Sequence, residues 1–138
     1  MLLVYPNRHD IAEWAEWFSD SGSLHDYLPV MDERWAKTIE DEFQLTALSQ
    51  DRDDPLRFAA RLFYRIIKNH RFIDGNKRSA VLNVYFFVAL NGFDLQISPK
   101  RLYSLTKDVA QSDQDQEVAI TQIAKRFAED WRVLVRKD

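Results

Sequence analysis

Apolar positions recur at intervals of three and four along most of the chain, the spacing that lines one face of an α-helix. Over residues 8–20, Ile11, Trp14, Ala15 and Phe18 form one such stripe, and Asp20-Ser21-Gly22-Ser23 ends it. A second helix is predicted over residues 31–48, with Trp35, Ile39, Phe43 and Leu45 facing inward. The third opens at Asp54, a good N-cap, with Pro55 at the first helical position, where a missing N–H costs nothing. Leu56, Ala59, Ala60, Phe63, Ile66 and Ile67 carry it to Asn69. The chain then breaks at Asp74-Gly75, and a fourth helix is predicted over residues 76–90. Leu82, Tyr85, Phe86 and Ala89 are its expected inner face, but Val84, Phe87 and Val88 make it apolar nearly all round, which places it centrally. Asn91-Gly92 closes it as a C-cap. Residues 93–97 read as a short extended piece, and Ser98-Pro99 opens a helix to about Ala110. After a polar loop over residues 111–116, a last helix is expected over 117–135, on Ile120, Ile123, Ala124, Phe127, Trp131 and Leu134.

These elements add up to an all-α fold, a compact single-domain helical bundle of roughly five to seven helices filling residues 1–138. Composition agrees: the chain is 46% hydrophobic, with nine Phe, and its three Gly and four Pro leave little material for the turns of a strand-rich fold. There is no Cys, which excludes disulfides, thiolate catalysis and thiolate metal sites. His9, His25 and His70 have no metal-ligand spacing. No stretch approaches the roughly 20 apolar residues of a membrane span, and the first residues lack the basic leader of a signal peptide. A cytoplasmic location without membrane contact is expected.

Charge is uneven. The net charge of -3 argues against direct nucleic-acid binding. Residues 32–54 hold eight acids and three bases, whereas residues 68–78 hold four bases and one acid. Two solvated surfaces of opposite sign would suffice to explain this. The functional alternative is a cationic pocket beside an acidic face that docks a partner.

The chemistry concentrates at residues 70–78, His-Arg-Phe-Ile-Asp-Gly-Asn-Lys-Arg, between two predicted helices. Gly75 can take positive φ and let backbone amides converge on an anion. The following helix starts here, so its unpaired N–H groups and dipole face the loop. Lys77 and Arg78 add two cations, one a mobile ammonium and one a bidentate fork. Together these describe a phosphate site, although a capped turn with surface cations has the same residues. Asp74 beside a bound phosphate would be repulsive without an intervening cation, and Mg²⁺ binds through one or two carboxylates plus substrate phosphates. An Asx-turn is the plainer use of an Asp here. His70, four residues earlier, has the ordinary pKa range of a general base at neutral pH, and it also has the plainer use of a surface or structural imidazole.

The same nine residues resemble the signature of the Fic/Doc superfamily, His-x-Phe-x-Asp/Glu-Gly-Asn-Gly-Arg in its Fic form. Ser79-Ala80 and the apolar helix ending at Asn91-Gly92 are also similar to the family pattern. By this resemblance His70 is the general base for a hydroxyl on a target protein, and Phe72 is a buried anchor. Asp74 positions Mg²⁺, Gly75 and Asn76 form the anion nest for ATP phosphates, and Arg78 binds phosphate. Two positions depart from the Fic form: Lys77 replaces its second Gly, and Val81 stands where a further Arg occurs. Asn-Lys-Arg resembles the Doc, or death-on-curing, branch. That branch implies phosphoryl transfer from ATP to a Ser, Thr or Tyr hydroxyl, with elongation factor Tu as a possible target, and Lys77 as a further catalytic cation. The Fic form implies AMP transfer by the same residues. A non-catalytic phosphate- or protein-binding module is the third reading. The family's inhibitory motif, Ser/Thr-x-x-x-Glu-Gly/Asn, does not occur, so the resemblance implies restraint by a separate antitoxin chain.

Overall fold

The computed structural model describes residues 2–21, 33–69 and 76–134. Among these, six helices and two short strands follow one another: α1 (Arg8–Ser21), α2 (Glu33–Ala47), α3 (Pro55–Asn69), α4 (Asn76–Leu90), β1 (Phe93–Leu95), α5 (Pro99–Gln111), α6 (Gln116–Glu129) and β2 (Trp131–Val133). The mostly helical fold expected from periodicity is what forms.

Local chemistry sets the helix starts. The Asp54 carboxylate accepts from the Leu56 and Arg57 amides at 3.0 and 3.1 Å, so two orphan donors of α3 are satisfied ahead of Pro55. Ser98 caps α5 through the Arg101 amide, again with Pro at the first turn. Asp115 caps α6 through the Glu117 amide.

Packing centres on α3 and α4. The former touches α4, α6, α2 and α5, and the latter also packs on α5 and β1. Phe58, Leu62, Phe63 and Ile66 of α3 are completely buried, each worth about 1.5–3 kcal/mol of apolar burial. Phe58 stacks on Phe87 of α4 at 4.3 Å and on Tyr5 of the N-terminal segment at 5.2 Å. On the other face of α3, Phe63 meets Phe127 of α6 edge-on at 5.4 Å.

Two expectations of facing and one of helix length are corrected. Leu45 is exposed, because Trp35, Ala36, Ile39 and Phe43 already define the buried stripe of α2. The inner face of α4 is Ala80, Val81, Val84, Phe87 and Val88 with Leu82, whereas Tyr85 and Phe86 are half-buried and Ala89 is exposed. A helix apolar all round carries no periodic mark of its inner side, so only its neighbours choose it. The last helix ends at Glu129, not at residue 135. Trp131 enters β2, which pairs antiparallel with β1 in the register Phe93↔Val133, Asp94↔Arg132, Leu95↔Trp131. Trp131 rests against Phe93 at 5.2 Å, and Leu134 donates its N–H to Gly92 O at 3.0 Å just past the strand. No helix among the described residues is long and apolar enough to cross a membrane.

Candidate active site

The nine-residue motif joins α3 to α4. His70, Phe72, Asp74 and Gly75 lie outside the described residues, while Asn76, Lys77 and Arg78 form the first turn of α4. The first amides of that turn have no acceptor within the helix, and the helix dipole makes this end positive. No acid occurs in the turn. Lys77 and Arg78 are half-buried, and among the described residues neither has a hydrogen-bond or ion-pair partner.

That isolation stands out against the other buried cations. Arg65 pairs with Glu42 at 2.7 Å. Arg61 pairs with Asp51 and Glu117, both at 2.8 Å, and Arg57 with Asp51 at 3.0 Å. Burial by itself would favour neutral Arg61, but hydrogen bonds and charge from Glu117 and Asp51 outweigh it and hold the guanidinium above its ordinary range. Two cations on the positive end of a helix oppose the dipole, at about 0.3–1 kcal/mol each. An anion there removes the conflict.

The same ion pairs revise the acidic docking face. Glu40 accepts from the Arg8 amide at 2.5 Å and pairs with its guanidinium at 3.3 Å. Glu42 and Asp51 are buried against arginines. Three of the eight acids of residues 32–54 therefore hold the fold together and do not face a partner.

The elements on both sides of residues 70–75 are anchored by residues that the motif does not contain. Before it, Arg65 ties α3 to α2, and Lys68 donates to the carbonyls of Ala110 and Ser112 at 3.2 and 2.8 Å, closing the C-terminal end of α5. After it, the indole Nε1 of Trp35 donates to Ser79 Oγ at 2.7 Å, and Asn83 Nδ2 donates to Ser79 O at 2.8 Å. Asn83 Oδ1 is buried with no hydrogen-bond partner among the described residues. Sequence reasoning assigned Trp35 to the core and did not single out Lys68 or Asn83. Lys68 and Trp35 find partners more than forty residues away, which no local spacing marks, whereas Asn83 bonds one turn back along its own helix. No group of three metal-ligating side chains occurs among the described residues, and the one metal candidate, Asp74, lies outside them.

The model of the Fic/DOC family matches residues 8–88, from the start of α1 into the last turns of α4, with the motif inside the span. This is more than half of the 138 residues, and the chain belongs to the Fic/DOC family. It is a family of transferases that modify proteins. No curated protein and no solved structure matches the chain.

Proposed function

We propose that the chain is a Doc-like protein kinase, the toxin of a toxin–antitoxin pair, moving the γ-phosphoryl group of ATP to a protein hydroxyl. The observation that carries this is the pair of half-buried cations, Lys77 and Arg78, on the N-terminal turn of α4, without a partner among the described residues. They suit the phosphates of a nucleotide and leave the turn frustrated without one. Val81 favours the Doc-like reading over AMP transfer. It is completely buried in the core, at the position where the Fic form carries a second phosphate-binding arginine.

In this reading Gly75, Asn76 and the first amides of α4 cradle the phosphates, with Lys77 and Arg78 on the oxygens whose charge rises during transfer. Asp74 would hold Mg²⁺, which when bound neutralises phosphate charge. His70 accepts the hydroxyl proton on an imidazole nitrogen as the hydroxyl oxygen bonds to phosphorus. The bond from phosphorus to the bridging oxygen breaks and ADP leaves. The chemistry is positioning and electrostatics, which suits a site built from a helix end. The absent inhibitory motif supports restraint by an antitoxin in the cytoplasm, and elongation factor Tu is the first acceptor to try.

Intact-mass analysis of the acceptor, after incubation with the protein, ATP and Mg²⁺, tests the reading. A phosphoryl adduct is expected. An adenylyl adduct would replace the kinase with an AMP transferase. His70→Ala is expected to abolish transfer while nucleotide affinity persists, and undiminished transfer by that variant removes His70 as the base.

A further inference from the structure

We propose that Trp35 is a positioning residue for the phosphate-binding turn, acting through Ser79. The proposal rests on the reading of α4's first turn as that site. α2 packs mainly on α1 and α3, but it also touches α4, with Trp35 beside Ser79 and Phe43 beside Phe87, whose rings are 6.0 Å apart. Each step is eight residues, so the two helices run in the same direction. The Phe43–Phe87 contact is apolar and tolerates sliding and rotation. The indole-to-hydroxyl bond does not, because it needs a fixed donor direction.

Both partners are buried, Trp35 at 1% and Ser79 at 0% exposure, so water cannot substitute for either. Ser79 follows Arg78 directly and completes the turn that begins at Asn76. Successive helical residues are rotated by about 100°, so fixing Ser79 against α2 fixes the direction in which Lys77 and Arg78 leave the helix. Asn83 reinforces this from below by holding the Ser79 carbonyl. An indole could fill this part of the core with its carbons alone. The directional bond to the residue next to Arg78 is what a purely space-filling role leaves unexplained. A displacement of about 1 Å in a group that stabilises a transition state costs up to about 100-fold in rate.

Trp35→Phe keeps most of the volume and removes the donor, and Ser79→Ala removes the acceptor while leaving the tryptophan in place. Amide hydrogen exchange is read for the peptide 76–84 and, as a reference, for α6. Each variant is expected to raise exchange in 76–84 by about tenfold, with α6 unchanged. Transfer kcat should fall by about tenfold or more while KM for ATP changes less than about threefold. The double variant should be no worse than either single, as expected of two residues acting through one bond. Unchanged exchange in 76–84 in Ser79→Ala, or effects that multiply in the double variant, overturns the proposal. If the wild-type protein transfers nothing, the kinase reading fails by itself. Exchange then still decides whether Trp35 pins the turn.

Discussion

Gly92 ends α4 at φ +87°, in the left-handed region, and its carbonyl accepts from the Leu134 amide at 3.0 Å. Nothing lies within 4 Å of where a Cβ would stand. A side chain here therefore meets conformational strain and no clash. Gly92→Ala is expected to lower unfolding free energy by about 1–2 kcal/mol, and Gly92→Asn by less, measured by urea denaturation. The neighbouring Asn91 does something that its cap position does not announce. Its amide donates to Phe87 O and Val4 O, and its Oδ1 accepts from Val4 N at 2.7 Å, so one side chain stands in for a strand and docks the N-terminal segment. Tyr85 similarly reaches the Ile97 carbonyl, and burial, helped by the charge of Asp94, pushes its phenol well above the ordinary range. The cap was legible in the dipeptide Asn91-Gly92. The partners of Asn91 and Tyr85 were not, because they come from segments that only the fold brings near.

The turn after α2 is joined to α3 and α6 through a shared set of charges. Asp51 receives Arg57 and Arg61, and both arginines also reach Glu117 at the start of α6. Asp51 and Arg61 side chains are each 6% exposed, whereas Glu117 is 48% exposed. Asp51→Ala strips a buried guanidinium of its main partner and is expected to cost about 3–5 kcal/mol. Glu117→Ala, at the wet end of the network, should cost less than about 1 kcal/mol. Thermal or denaturant unfolding of the two variants makes the comparison, and equal losses would mean the network is not organised around Asp51. Helix positions were readable because caps and periodicity are local: Asp54-Pro55 marks α3 and Ser98-Pro99 marks α5. The end of α6 was not. Trp131 and Leu134 continue a helical apolar spacing, but Asp130 caps the helix and pairs with Arg126 at 2.7 Å, and pairing with β1 then takes the next residues. A short apolar run suits either period, and the neighbouring strand decides.

For the molecule as a whole, the concentration of positive charge at the start of α4 makes a paired prediction. ATP with Mg²⁺ at about 100 times its Kd should stabilise the protein by about 2.7 kcal/mol, roughly 10 °C in Tm for a domain of this size. Arg78→Ala should lose most of that shift. Without nucleotide the same variant should melt no lower than wild type, because it removes a cation from the positive end of a helix. A large drop in the ligand-free Tm of Arg78→Ala would show that the guanidinium serves the fold and would undercut its assignment to phosphate.

The order of residues alone determined most of the helices, their caps and the resemblance carried by residues 70–78. Each of these depends on neighbours within a turn or two, which the chain itself supplies. The tertiary structure decided which side of α4 is buried, that the acids Glu40, Glu42 and Asp51 are internal partners, that β2 replaces the end of a helix, and that Trp35 holds Ser79. It also decided that Lys77 and Arg78 stay without a partner among the described residues while the other buried arginines find one. Charge pairing and burial are set by distance in space, and most of these contacts join residues far apart in the chain.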